Sequence, residues 1–367
     1  MPLPQAPELL QRWAGPNLPF PRGWYAIAES DELSVGDIRC VSALGKDLVV
    51  FRTEDGHAHV TNAYCPHLGA HLGVGGKVVG GRIRCPFHRY EYDASSGACV
   101  RTGSGDPAPR TAVLRRWKVH ERDGVIFVWH HEQEPNAAPT FEVERSAEFD
   151  GTWSAWHKDV WEFRGRIQDV GENEADVCHV SALHGFAADV PEVSMSVDGP
   201  RCVTTLKFSA DRDFWVGPRY ARLLRRLPLP KRFGVQAVVE RVGFSLGYIR
   251  QETQLPRGYR LRAQSLVTTT PINDQRVRVV ARHRVAPLPT RSLTRMVAAR
   301  FAGAFAETIE EDIAIWESKV YRVRPIVTKR DWAILEFRKW ARQFYPEGTY
   351  QAALKHEAAL AASGALP

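Results

Sequence analysis

The chain has no apolar run near the roughly 18 residues that a membrane-spanning helix needs. Its first residues, MPLPQAPELLQRWAGPNLPFPRGW, lack the charged start and apolar centre of a secretory leader. Six cysteines in 367 residues are too few for a disulfide scaffold. A reduced, cytoplasmic protein is the expectation, with peripheral attachment to a membrane as the alternative. Internal repeats are missing. Charge of one sign is not concentrated: 49 Lys+Arg against 42 Asp+Glu leaves +7, and most basic residues are scattered among acids, which argues against a nucleic-acid partner. The densest basic group is Arg219, Arg222, Arg225, Arg226, Lys231 and Arg232. It reads as a solvated insertion, a docking surface for an acidic electron carrier, or a lipid contact. What the chain does have is material for cores. At 44% hydrophobic and 25% charged residues it has the balance of a soluble globular protein, and its length suits two packed domains.

Residues 1–22 are proline-rich and read as an arm. From 23 to 133 the pattern is short strands, among them IRCVSAL, DLVVFRT, AHVTNAY, KVVGGRIRC and GVIFVWHH, separated by Gly and Asp-Gly turns. This is an all-β domain. Residues 134–145 are polar and proline-bearing, a linker. From 146 to 350 strands mix with helices. WSAWHKDVWEFRG is strand-like, Asn173 to Gly185 reads as one helix, further strands follow, and helices are expected over 291–319 and 331–344. That is an α+β domain in which helices cover one antiparallel sheet. The alanine-rich stretch 351–367 reads as a C-terminal tail that forms a fraying surface helix.

Cys65-Pro66-His67 and Cys85-Pro86-Phe87-His88 are separated by seventeen residues that include Gly73, Gly75, Gly76, Gly80 and Gly81. Two thiolates and two imidazoles at short paired spacings form a metal site, and the glycines let the chain reverse between the loops. Zinc fingers normally pair cysteine with cysteine and histidine with histidine. Here each loop carries one of each, which resembles the Rieske [2Fe–2S] centre, where two cysteines hold one iron and two histidines the other. Cys40, Cys99, Cys178 and Cys202 lie outside the pattern and read as buried free thiols. His71 does not fit the ligand spacing and reads as packing.

A second constellation is Asp176-x-x-His179-x-x-x-x-His184. On a helix these steps keep the three side chains near one face. Two histidines and a carboxylate complete the facial triad of a non-haem Fe(II) oxygenase. Asp176 is one candidate for the carboxylate. The acidic run around Glu310, Glu311, Asp312 and Glu317 offers another, although alone it reads as a solvated helix face.

Together the two patterns resemble the Rieske non-haem iron oxygenases. The resemblance implies an N-terminal all-β Rieske [2Fe–2S] domain and a C-terminal sheet-and-helix, helix-grip catalytic domain. Cys65, His67, Cys85 and His88 would hold the cluster, and His179, His184 and Asp312 a mononuclear Fe(II), with Glu311 the runner-up to Asp312. Asp176 would bridge to a cluster histidine of a neighbouring subunit in a homotrimer. Asn173 matches a polar residue near the iron in relatives. A flavin reductase or ferredoxin, fed by NAD(P)H, would supply electrons, and O2 is the implied co-substrate.

Ala63 to Ala70, Gly75 to Gly80, Ile315 to Tyr321 and Arg338-Lys339-Trp340 resemble the cholesterol 7-desaturases and the 3-ketosteroid 9α-hydroxylase oxygenases. An apolar sterol-like substrate, desaturated at the 7,8 position or hydroxylated, is the implied reading. Sterol C4-methyl oxidation is similar enough to stand as an alternative, as is an aromatic-ring dioxygenase of the same fold. A Rieske ferredoxin-type carrier without its own substrate is the rival from another class. One departure is local: where relatives usually have Gly-Trp after the second cluster histidine, this chain has Arg89-Tyr90. That alters the surface met by a redox partner and leaves the ligands in place.

Overall fold

A computed structural model describes residues 18–132, 134, 137–144, 151–185, 187, 190–211 and 230–363. Two compact units divide the chain, one spanning Pro21–Arg145 with Thr270–Asp274, the other Ser146–Thr269 with Gln275–Pro367. Most of the proline-rich arm, and the basic cluster apart from Lys231 and Arg232, lie outside the described residues.

The first unit is built from ten strands: β1 (Gly23–Glu29), β2 (Ile38–Ala43), β3 (Lys46–Arg52), β4 (Ala58–Asn62), β5 (Lys77–Val79), β6 (Arg82–Arg84), β7 (Glu91–Asp93), β8 (Cys99–Arg101), β9 (Val119–Arg122) and β10 (Val125–His130). They form three antiparallel sheets, ordered β1-β10-β9, β2-β3-β4 and β5-β6-β7-β8. All six residues of β10 are buried, as an apolar run paired on both edges should be. The run KVVGGRIRC folds as two strands, because Gly80 takes a left-handed φ of 58° and turns the chain. The expected linker is not a free spacer. Trp24 donates its indole N–H to the Phe141 carbonyl at 2.7 Å, the Phe141 ring meets Trp129 edge-on, and Val143 is buried. Two apolar side chains in a polar stretch were enough to fix it to the β core.

The second unit carries β11 (His157–Arg164), α1 (Ile167–Glu172), α2 (Val177–Ala182), β12 (Glu192–Asp198), β13 (Arg201–Asp211), β14 (Arg232–Val242), β15 (Leu246–Gln254), β16 (Arg260–Pro271), β17 (Arg276–Val285), α3 (Arg291–Trp316), α4 (Trp332–Ala341) and α5 (Thr349–Ala362). Seven strands make one sheet in the order β11-β17-β16-β15-β14-β13-β12, so the first strand closes beside the last. Helix α3 begins at Thr290, whose hydroxyl accepts the Leu293 N–H at 3.1 Å. It packs on β11 and β17 through Ala298, Phe301, Ala302 and Trp316, and Trp316 stacks on Phe163 of β11. Helix and sheet together meet the helix-grip expectation.

Of the helix expected over 173–185 only α2 is helical, and a separate short helix, α1, ends just before that stretch. Asp176 caps α2 with φ −83° and ψ 82°, outside the helical region, and Gly185 beyond the helix sits at φ +65°. The alanine-rich C-terminus forms the expected surface helix, α5. It starts at Thr349, and Ala353 and the Tyr345–Tyr350 ring contact hold it down. Among the described residues no helix is long and apolar enough to cross a membrane.

Candidate metal centres

In the first unit, two tight loops bring the paired ligands together. The Cys65 N–H donates to the Ala70 carbonyl and the Gly69 N–H to Cys65, while the Cys85 N–H donates to Tyr90, so each loop closes on itself just after its cysteine. Cys65 and Cys85 are buried and unbridged, His67 is exposed and His88 half-buried. The imidazoles of His67 and His88 lie 4.8 Å apart, centre to centre. Buried thiols inside and imidazoles at the rim suit a cluster with one sulfur-bound and one nitrogen-bound iron. His88 Nδ1 is buried with no hydrogen-bond partner among the described residues, so that nitrogen is left for a metal. The four residues therefore fit the group.

The surroundings explain the departure from Gly-Trp. Arg89 holds φ at 56°, a conformation that glycine adopts without cost. Gly103 makes room for it, since a Cβ there would lie 2.2 Å from the His88 carbonyl oxygen. Tyr90 stacks on His67 at 4.4 Å with only 13° between the planes, covering one face of that imidazole. Tyr92 is buried, its hydroxyl is 3.0 Å from Cys65 Sγ, and burial pushes its pKa well up. Burial likewise raises the Cys85 thiol. His71 packs edge-on against Tyr64 and accepts the Gly73 N–H, away from any ligand role.

In the second unit, the ligand atoms of His179, His184 and Asp312 lie within 4.8 Å of one another. His179 comes from α2, His184 from just beyond its C-cap Leu183, and Asp312 from the last turns of α3. The convergence does not come from one helix face, as the spacing suggested. It comes from the chain leaving the helix before His184. Asp312 Oδ1 is 3.4 Å from His184 Nε2 and 3.9 Å from His179 Nε2. Donors each about 2.1 Å from one shared ion would sit at similar separations.

The opposite nitrogens are occupied. His179 Nδ1 meets the Asp176 carbonyl, and His184 Nδ1 meets Glu311 Oε2 at 2.7 Å. An N–H donated from each Nδ1 leaves each Nε2 as a bare lone pair turned toward Asp312. Asn173 donates from Nδ2 to Asp312 Oδ2 at 2.9 Å, holding the carboxylate from its far side. Asp312 is buried and its pKa is raised by desolvation, with the two histidines pulling against that shift. A buried carboxylate beside two imidazoles is a donor set that suits a dication.

Glu311 is half-exposed and faces the outer nitrogen of His184. Its place is behind His184, outside the group of three, and of the two acidic neighbours Asp312 is the one that joins that group. Asp176 is half-buried and lines a cavity of about 320 Å³ with Asn173, His179, Asp312, Trp316 and Ile326. Beneath Asn173 lies a buried polar layer that sequence reasoning missed. Glu172 takes two hydrogen bonds from Arg338, at 2.8 and 2.9 Å, and Lys319 pairs with the buried Asp169 at 2.9 Å. Gln168 bridges Glu172 and the Tyr345 hydroxyl. The signal for it was a string of charged and amide residues in an otherwise apolar α1. Of the cysteines outside the metal loops, Cys99 and Cys202 are buried as expected, whereas Cys178 is only half-buried and Cys40 is exposed on β2. The side chains of β2 alternate and its outer face is open to water.

A β unit with a Cys2His2 loop pair, joined to a helix-gripped sheet with a two-histidine carboxylate group, defines the class: a Rieske-type oxygenase. Residues 23–116 match the Rieske [2Fe–2S] domain, and residues 128–345 match the 3-ketosteroid 9α-hydroxylase C-terminal domain. The chain therefore belongs to the Rieske oxygenases with that C-terminal domain, and it is an oxidoreductase. It is 33% identical over 334 residues to a cholesterol 7-desaturase of Bombyx mori, covering 90% of this chain and 70% of that one. Identity to a cholesterol 7-desaturase of Drosophila melanogaster is 28%, over 89% of this chain and 75% of that one. Identity to the oxygenase component of the 3-ketosteroid-9-alpha-monooxygenase of Rhodococcus rhodochrous is 25%, over 89% of this chain and 84% of that one. Among solved structures, dicamba monooxygenase bound to dicamba superposes with a TM-score of 0.68 at 19% identity, over 93% of this chain and 98% of that one. That last likeness is one of fold.

Proposed function

We propose that the chain is the terminal oxygenase of a multi-component system that uses O2 and reductase-supplied electrons to oxidise a sterol or steroid, by 7,8-desaturation or by hydroxylation. The observation that carries this reading is the convergence of His179, His184 and Asp312 in a chain whose relatives are named as cholesterol 7-desaturases and a ketosteroid monooxygenase component. Cys65, His67, Cys85 and His88 hold the [2Fe–2S] cluster, and His179, His184 and Asp312 hold a mononuclear Fe(II). When bound, these groups supply one-electron transfer and O2 activation at an open iron site.

The protein's own part is to orient and exclude. Asn173 fixes Asp312 so that Oδ1 faces both Nε2 atoms. Glu311 and the Asp176 carbonyl hold the Nδ1 protons of His184 and His179. His179, His184 and Asp312 would hold the metal, which would supply O2 activation beside the substrate. Asp176 serves as the bridge toward a cluster histidine of a second subunit, within a homotrimer. The exposed Leu68 and Phe87 beside the cluster loops, and the exposed Ile326 at the cavity that Asp176 lines, support a docking of that kind. A flavin reductase or ferredoxin drawing on NAD(P)H completes the system.

The test is turnover of a panel of sterols and steroids under labelled O2, with a surrogate reductase and a mass readout. A product lacking two hydrogens and unlabelled marks a desaturase. One labelled oxygen gained marks a hydroxylase, and stepwise oxygen gain with loss of a methyl carbon marks C4-methyl oxidation. O2 consumption by the reduced, iron-loaded protein with every panel member unchanged overturns the sterol reading.

A further inference from the structure

We propose that the cationic face of the sheet β5-β6-β7-β8 is the docking surface for an acidic one-electron carrier protein, with Lys77, Arg89 and Arg101 among its contacts. The inference rests on the electron-supply reading made above and adds to it where the donor sits and what charge it carries.

Residues 77–101 hold five cations, Lys77, Arg82, Arg84, Arg89 and Arg101, against two acids, Glu91 and Asp93. The strand register gathers them. Lys77 on β5 pairs with Arg84 on β6, Arg84 with Glu91 on β7, and Glu91 with Arg101 on β8, so the four stand in one row across the sheet. The alternate residues Ile83 and Tyr92 are in the core, which turns the row to the other face. At the centre of the row Glu91 is only 1% exposed. Arg84 reaches its carboxylate at 2.7 Å, Arg82 at 2.9 Å and Arg101 at 3.8 Å. One bidentate guanidinium is enough to pair a carboxylate. Here three crowd over it, and the Arg101 side chain stays 66% exposed. Asp93 is turned into its own loop, where Oδ1 accepts from Ser95 and Ser96.

Like charges held this close repel, so the surplus does not serve the fold. Arg89 makes the same point through its backbone. It is exposed and sits at φ 56°, where a side chain is strained and glycine is not. Among the described residues, no ion pair or hydrogen bond of its guanidinium offsets that strain. Both observations are met if the charges act on something outside the chain. Their place says what. Arg84 directly precedes Cys85 and Arg89 directly follows His88, so the cationic face adjoins the second cluster loop. A protein with an acidic face is drawn to such a surface and oriented by it. A carrier held there lies against that loop.

The experiment measures binding of an acidic plant-type [2Fe–2S] ferredoxin to the full-length, cluster-loaded chain by surface plasmon resonance, with basic cytochrome c as the opposite-charge control. The wild-type chain should bind the ferredoxin at about 20 mM salt, lose about tenfold in affinity by about 200 mM, and ignore cytochrome c. Arg89→Gly relieves the backbone and should unfold no earlier than wild type, yet bind about two- to fivefold more weakly. Arg101→Gln and Lys77→Gln should each weaken binding by a similar factor. Should Arg101→Gln fail to hold its cluster, Lys77→Gln replaces it, since Lys77 is exposed and outside the Glu91 ion pairs. Arg122→Gln removes an exposed cation on β9 and should bind as wild type does. No binding, binding indifferent to salt, or wild-type affinity in Arg89→Gly and Lys77→Gln overturns the proposal. So does an equal loss in Arg122→Gln, which would mean that net charge alone acts. Attachment to phosphatidylglycerol vesicles that these substitutions abolish, with ferredoxin binding untouched, would overturn it in favour of a lipid surface. Binding needs no substrate, so a failed sterol panel leaves the result standing. Failure of the cluster assignment would show separately, as the absence of any reducible [2Fe–2S] signal in the wild-type protein.

Discussion

Asn173 and Asp312, 139 residues apart in the chain, meet through a 2.9 Å hydrogen bond from the amide Nδ2 to the carboxylate Oδ2. The bond ties the turn after α1 to the last turns of α3. It leaves Oδ1 as the oxygen facing both histidines. Asn173→Ala should therefore weaken mononuclear iron binding or turnover by about 10–100-fold, the usual cost of losing a partner that orients a metal ligand. Iron titration checks this, with the cluster spectrum as the internal control, since that site lies in the other unit. Wild-type affinity and turnover in the variant would contradict the positioning role.

Asp176 acts in two ways that one substitution separates. Its backbone carbonyl orients His179, and its side chain lines the cavity beside His179 and Asp312. Asp176→Ala keeps the carbonyl and removes only the carboxylate. Both metal centres should stay filled while substrate turnover falls to background. Turnover at the wild-type rate would remove Asp176 from the electron route.

Glu172 and Arg338 form a buried bidentate ion pair under the Asn173 turn. Arg338→Ala leaves the carboxylate buried without its partner, and breaking such a pair typically costs about 3–5 kcal/mol. Denaturant unfolding should show that loss, and mononuclear iron should be held less tightly as the turn relaxes. A variant as stable as wild type would mean that water replaces the guanidinium at no cost.

His283 offers a pH test. It is fully buried on β17, its Nδ1 lies 2.7 Å from the Ser265 hydroxyl, and burial lowers its pKa from 6.5 to about 3. Between those two values the unfolded chain binds a proton that the folded chain refuses. Stability is thus fully present above about 6.5 and declines as pH falls through the window toward 3. His283→Gln, which does not titrate, should show a shallower loss between pH 6 and 4 by about one proton's slope. Parallel wild-type and variant curves would place the acid sensitivity elsewhere.

The two metal sites were legible to different depths, for a physical reason. The Rieske loops were readable because each ligand pair is local in sequence and set by a tight turn. His179 and His184 were readable for the same reason, but the route by which they converge was not. The break at Asp176 and the exit before His184 depend on Glu172 finding Arg338 and Asn173 finding Asp312, contacts spanning 166 and 139 residues. The roles of the acidic neighbours Glu311 and Asp312 were separated by burial, which the α3 pattern alone did not give. Strand β12 was missed because five of its seven residues are exposed, and EVSMSVD carries little apolar signal. The linker reading failed at Phe141 and Val143, two side chains outweighed in composition by their polar neighbours.

The central claim is that one chain carries both centres, and iron counted against protein tests it most directly. After anaerobic loading and removal of loose metal, the wild-type chain should hold about three irons, two in the cluster and one at the triad. Asp312→Ala should fall to about two with its cluster spectrum intact, and Glu311→Ala should stay nearer three. A wild-type value of about two, unchanged by Asp312→Ala, would contradict the account and leave a Rieske electron carrier in its place.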